Sequence, residues 1–233
     1  MNDKTLKIFI GFDHRQPVSL SVLAQSIYTY SKTPVAITPL VYNQLPMTRK
    51  DGLTPFTWSR FLVPYLCDYR GWALFLDLDM LVRDDITKLF DLADEKYAVM
   101  VAKNPKKFEW ASVMLFNCGH PANKVLTPDY VNEAKGLHGI NWCKPEEIGG
   151  IPAEWNHLVG YDKPRSDAKL IHYTQGVPCF PETNDSEGAD EWFKEHKFMN
   201  HARPWEELMG NSVHAVQLQD GTKVPKYKVE APA

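Results

Sequence analysis

The chain reads as an α/β protein built on a mainly parallel sheet, and three observations predict it. Runs of branched and aromatic residues, such as Leu6–Phe12 and Trp72–Leu76, have the character of buried strands. Segments with apolar residues three and four apart lie between such runs, as amphipathic helices require. Strands alternating with helices favour parallel pairing, with connections packed over the sheet. A length of 233 residues suits a single domain with a sizeable core.

Taken in order, LKIFIGF at Leu6–Phe12 predicts the first strand, ending at Asp13. PVSLSVLAQSIYTYS predicts a helix, with Pro17 suited to its first turn. VAITPLV at Val35–Val41 predicts a second strand, and Tyr42–Thr57, with its turn formers and prolines, a loop. WSRFLVPYLCDY predicts a helix with Pro64 in its interior, where proline costs ~3 kcal/mol. GWALFLDLDML then supplies a third strand. Tyr97–Ala102, Ala111–Asn117 and Lys169–Thr174 predict three more strands. Thr127 as N-cap, Pro128 at the first position and Gly136 as a stop frame a further helix. DEWFKEHKFM and RPWEELM predict two late helices, and the last dozen residues a tail. The domain reading is 1–200 for the main body and 201–233 for a C-terminal helix and tail.

Composition narrows the function. A formal net charge of -3 supplies no bulk field for nucleic acid, so no nucleic-acid partner is expected. The four cysteines, Cys67, Cys118, Cys143 and Cys179, form no C-x-x-C pair, so free thiols are expected rather than a zinc ribbon. The N-terminus carries no secretory signal, and no apolar run approaches the roughly 18 residues a span needs. A cytoplasmic protein without a transmembrane segment is expected, with peripheral membrane contact left open.

The chemistry centres on FLDLDML. Asp77 and Asp79 lie two apart at the carboxyl end of an apolar strand, where open α/β sheets bind ligands. Two adjacent carboxylates repel, and a divalent cation removes the conflict; oxygen ligands suit Mg²⁺ or Mn²⁺. The alternative is that one or both simply cap the following loop. Two enzyme classes fit a strand ending this way. In a haloacid-dehalogenase-like phosphatase, D-x-D-x-T/V stands near the chain start; here Leu81 occupies the last position, and the motif lies far into the chain. In a GT-A glycosyltransferase, D-x-D holds a cation against the diphosphate of a sugar nucleotide.

Four stretches in order, IFIGFDHRQPVSLSVLAQSI, WSRFLVPYL, FLDLDML and LIHYTQGVPCF, resemble a GT-A glycosyltransferase, nearest to the family 8 type. The resemblance covers about residues 6–180. It implies a Rossmann-like fold: a mixed, mainly parallel sheet with helices on both faces in a single domain. It implies Asp77, Asp79 and His172 as ligands of Mn²⁺ or Mg²⁺. It implies donor contacts from Gly11, Phe12 and Asp13 to base and ribose, from Arg60 to phosphate or sugar, from Leu78, and from Gly176 by close backbone approach. IPAEWNHLVGYD is similar to a family segment near the acceptor pocket, which implies Trp155 and Asn156 as acceptor residues.

The implied activity is transfer of a sugar from a nucleotide diphosphate sugar, UDP-sugar first, to a glycan or glycolipid hydroxyl, with retention at the anomeric carbon. Three departures bear on it. Val177 stands where the family has Lys, EWASVM where it has Asn-x-Gly, and KPEEIGG where it has L-D-Q-D. The catalytic residue is therefore unassigned, with Glu146, Glu147 and Glu154 as weak candidates. The departures also keep open a non-catalytic GT-A domain that binds a glycan or a partner.

Overall fold

Every residue of the first strand, β1 (Leu6–Gly11), is buried except Lys7, which is half-buried. The computed structural model describes residues 5–229. Helix α1 (Pro17–Tyr30) follows, with Pro17 at its start and Val22, Leu23 and Ile27 buried, the spacing of one apolar stripe. Strand β2 (Val35–Leu40) pairs in parallel with β1. The long helix expected after the Tyr42–Thr57 loop is shorter in the structure. A 3₁₀ turn over Ser59–Leu62 runs into α2 (Val63–Leu66), so Pro64 falls in a first turn. Its missing N–H is there one of the unsatisfied donors in any case, and the interior penalty does not arise.

Strand β3 (Trp72–Leu76) is buried at all five positions and lies parallel to β1, with Ile10 opposite Leu76. The chain continues through β4 (Met80–Val82), α3 (Thr87–Phe90), β5 (Val99–Ala102) and β6 (Val113–Asn117). Helix α4 (Pro128–Glu133) opens on Thr127, whose hydroxyl accepts the Tyr130 N–H. Strands β7 (Ile148–Ile151), β8 (His157–Leu158) and β9 (Leu170–His172) follow, then α5 (Ala189–Met199).

The six-stranded sheet has the order β2-β1-β3-β6-β5-β7. Only β6 runs antiparallel to its neighbours, so the sheet is mixed and mainly parallel. Its fully buried strands read as unbroken apolar runs because both faces are covered. Three further strands form a small sheet in the order β4-β9-β8, and this sheet builds the site.

By contacts the chain divides into Met1–Met199 and Asn200–Ala233. The second unit holds α6 (Trp205–Met209) and an antiparallel pair, β10 (Ala215–Gln217) with β11 (Lys223–Pro225). The expected C-terminal tail is thus partly a hairpin, turned at Asp220-Gly221, where Gly221 has φ +88°. The last four residues of that tail lie outside the described residues. Among the described residues no helix is long and apolar enough to cross a membrane. No disulfide joins any of the four cysteines.

Leu74 is fully buried at the centre of β3, opposite Ile8 and Leu115. Leu74→Ala is expected to lower stability by about 2–5 kcal/mol, read as a lower urea midpoint with an unchanged slope.

Candidate functional site

The strand β3 ends at Leu76, and Asp77 leaves it with its N–H donating to Ser112 O at 3.0 Å. Leu78 is 1% exposed and belongs to the core, which turns the flanking aspartates the other way. β4 then pairs antiparallel with β9, with Met80 opposite His172. The Tyr173 N–H extends that ladder, donating to Asp79 O at 2.8 Å. This register delivers His172 beside the two carboxylates. The ligand atoms of Asp77, Asp79 and His172 all lie within 4.8 Å of one another, and His172 Nε2 is 3.4 Å from Asp79 Oδ1.

The orientation of the imidazole follows from its neighbours. Asn156 Nδ2 donates to Glu109 O at 3.2 Å and to Ser112 Oγ at 3.1 Å. A backbone carbonyl only accepts, so the Asn156 amide nitrogen must face it and Oδ1 must face His172. His172 Nδ1 therefore donates to Asn156 Oδ1 at 3.0 Å. Nε2 is left turned towards the carboxylates, the arrangement in which an imidazole serves as a metal ligand.

The cluster carries an electrostatic conflict. Burial pushes the Asp77 carboxyl up to about 7, against the pull of the Arg60 guanidinium and with a further push from Asp79. Burial disfavours the His172 imidazolium, yet the carboxylates of Asp79 and Asp77 outweigh it and hold the pKa above its ordinary value. Arg60 Nη1 donates to Ala111 O at 2.8 Å and to Asp77 Oδ2 at 3.3 Å. The same nitrogen lies 3.0 Å from Asp77 Oδ1 without a hydrogen-bonding angle. Asp77 Oδ1 and Asp79 Oδ1 are thus buried acceptors with no hydrogen-bond partner. Such orphaned atoms call for an explanation, and two carboxylate oxygens with one imidazole nitrogen fit Mn²⁺ or Mg²⁺.

A cavity of about 390 Å³ opens on the same edge of the sheet. Phe12 and His14, which follow β1, line it with Tyr42 and Asn43, which follow β2. Lys50 and Trp58 complete the wall, and the Arg49 guanidinium lies 3.3 Å from the Trp58 ring centroid.

The other residues singled out in the sequence fall elsewhere. Gly11 lies under Phe56, whose ring leaves no room for a β-carbon there. Asp13 is fully buried and paired with Arg15 through both carboxylate oxygens. Gly176, at φ +122°, lines a separate cavity of about 380 Å³ with Gln175 and Thr183. Trp155 is 2% exposed and packs in the core, so it presents no ring face to an acceptor sugar. Asn156 points inward onto His172 rather than towards an acceptor. Glu147 accepts the Lys144 N–H at 2.8 Å as a local cap, Glu154 pairs with Lys169 at 3.4 Å, and Glu146 is exposed. Among the described residues, no hydrogen bond or ion pair joins these three glutamates to the Asp-Asp-His cluster.

This sheet order, with an acidic pair at the mouth of the third strand, is the GT-A fold of glycosyltransferases. The WbbM bifunctional glycosyltransferase shares it over 88% of this chain and 51% of its own, with a TM-score of 0.68 and 16% identity. The chain thus spans about half the length of WbbM. GlyE of Streptococcus pneumoniae TIGR4 matches over 89% and 63%, with a TM-score of 0.61 and 15% identity. LgtC, solved as an active-site mutant, matches over 87% and 99%, with a TM-score of 0.58 and 13% identity. At such identities these likenesses concern the fold. Protein CDI of Arabidopsis thaliana is 40% identical across 84% of this chain and 88% of its own length. The chain belongs to the family of that protein. No family model matches it.

Two outcomes test the cluster as a cation site. Asn156→Ala is expected to weaken Mn²⁺ binding about 10–100-fold in calorimetry, because it frees the His172 ring. In the unaltered protein the same affinity should fall more than tenfold per pH unit well below about 7, as protons on both Asp77 and His172 compete with the cation.

Proposed function

We propose that the chain is a metal-dependent glycosyltransferase that moves a sugar from a nucleoside diphosphate sugar, with UDP-sugar the first choice, to a hydroxyl of a glycan or glycolipid. The observation that carries this reading is the meeting of Asp77, Asp79 and His172 on the carboxyl edge of the sheet, the edge on which the cavity behind Phe12 and Tyr42 opens. The fold supports it. LgtC, solved with donor and acceptor sugar analogues, is one protein of this fold that handles both kinds of ligand.

Asp77, Asp79 and His172 would hold Mn²⁺ or Mg²⁺, which neutralises the charge that develops on a leaving diphosphate. Asn156 keeps Nε2 of His172 turned to that position. Arg60, stacked between Phe56 and Phe75 at 5.4 and 5.1 Å, keeps Asp77 oriented and contributes fixed positive charge. Phe12, Tyr42 and Trp58 offer aromatic surface to a nucleotide base, and His14 and Lys50 supply cationic or donor groups near it. Val177 is fully buried, so it leaves phosphate charge to these groups. Retention at the anomeric carbon follows the family 8 likeness.

The phosphatase alternative loses its ground, since the acidic pair follows the third strand of a GT-A sheet rather than the first. A thermal-shift panel of UDP- and GDP-sugars with MnCl₂ tests the proposal. A UDP-sugar is expected to raise the melting temperature, and nucleotide release to follow when an acceptor is supplied. Asp79→Ala should keep the fold and abolish both effects. Binding of a sugar nucleotide without transfer or hydrolysis would instead favour a non-catalytic domain, and turnover of aryl phosphates alone would overturn the assignment.

A further inference from the structure

The loop between β5 and β6 holds a residue that neither the core nor the Asp-Asp-His cluster accounts for. Glu109 has φ +54°, in the left-handed region that a side-chain-bearing residue enters at a cost. Two side chains clamp its carbonyl in place: Ser112 Oγ donates at 2.6 Å and Asn156 Nδ2 at 3.2 Å. Through Asn156 the Glu109 peptide stands two hydrogen bonds from His172. Phe108 braces the loop from one side, edge-on to Tyr161 with ring centroids 5.1 Å apart. Trp110 packs in the core with Lys107 Nζ 5.2 Å from its ring centroid, and its indole N–H is buried without a hydrogen-bond partner.

The Glu109 side chain has no comparable anchor. It is half-buried, and its carboxylate makes no hydrogen bond or ion pair among the described residues. Its negative charge still reaches the cluster, where it raises the proton affinity of both Asp77 and His172. It is not a further ligand of the same site, since the atoms that converge belong to Asp77, Asp79 and His172 alone among the described residues. Ser112 O accepts the Asp77 N–H and Asn156 Oδ1 accepts the His172 Nδ1–H, so the bonds on the Glu109 carbonyl seat this residue against the cluster with its carboxylate unpaired. Such a group is explained by what binds beyond the cation.

We propose that Glu109 is a catalytic residue whose carboxylate faces the transferred sugar of the donor; this rests on the glycosyl-transfer reading above. In the ground state it accepts hydrogen bonds from sugar hydroxyls. In the transfer step the bond from the anomeric carbon to the diphosphate oxygen breaks, and its electron pair leaves on that oxygen. The carbon gains positive charge, which Glu109 offsets without bonding to it. The acceptor hydroxyl oxygen supplies the electron pair of the new bond, and its proton passes to the departing diphosphate oxygen.

Glu109→Gln keeps the shape and removes the charge, and Glu109→Asp keeps the charge on a shorter arm. Calorimetry with MnCl₂, UDP, UDP-glucose, UDP-galactose and GDP-mannose gives binding, and initial rates with the accepted donor give kcat and KM. Glu109→Gln is expected to lower kcat about 100-fold. Mn²⁺ and free nucleotide affinity should stay within about threefold of wild type, while the affinity difference between sugar nucleotide and free nucleotide shrinks. Glu109→Asp should recover part of the rate. A Glu109→Gln protein with unchanged kcat overturns the assignment. So does a loss of Mn²⁺ and nucleotide affinity in step with kcat, which would mark a supporting role in the fold or the cation site. A wild-type protein that binds none of the nucleotides overturns the glycosyl-transfer reading and this proposal with it.

Discussion

Backbone pairing between β4 and β9 is the constraint on which the rest depends. The acidic pair is a local feature, carried wherever β3 ends. The histidine is not, and only the antiparallel register with Met80 opposite His172 brings it alongside. A slip of one residue would turn His172 to the opposite face. The parallel partner β8 secures that register from the other side, with Leu158 opposite His172. The residue just before β8 is Asn156, so one small sheet places both the imidazole and the amide that orients it.

That geometry concentrates unresolved polarity in one place. Arg60 Nε, Asp77 Oδ1, Asp79 Oδ1 and Trp110 Nε1 are all buried atoms without hydrogen-bond partners. Others lie elsewhere among the described residues, Thr87 Oγ1 and Trp192 Nε1 among them, but only here do two orphaned carboxylate oxygens converge with an imidazole. Arg60 answers only part of the negative charge, since it must also serve Ala111 O. The surrounding packing leaves little room for relaxation: Leu76, Leu78 and Met80 are all buried around the aspartates.

Much of this was legible in the residues. An apolar run into D-x-D marked the end of the buried strand at which the Asp-Asp-His cluster forms. Pro17 and Thr127 marked two helix starts through local chemistry that tertiary packing did not override. Other elements were hidden for identifiable reasons. β7 is Ile-Gly-Gly-Ile, and glycine carries no strand signal; a β-carbon at Gly149 would stand 2.5 Å from Met100, so close packing excludes a side chain there. The segment around Arg60 has helical periodicity, yet it forms only a 3₁₀ turn and one short helix. The bonds of Asn156 were not legible, because an amide shows its partners only in the fold, and those come from residues 109, 112 and 172. Glu109 carried no signal of its own in a loop with Lys103, Pro105, Lys106 and Lys107.

The distance along the chain between Asp79 and His172 carries a consequence for folding. Roughly 90 residues separate them, so their meeting closes a long loop and is entropically costly to reach early. The β1–β3 and β5–β6 pairings need shorter closures and can precede it. A ribosome must release everything through β9 before Asp77, Asp79 and His172 can meet, whereas every residue lining the cavity behind Phe12 and Tyr42 has emerged long before.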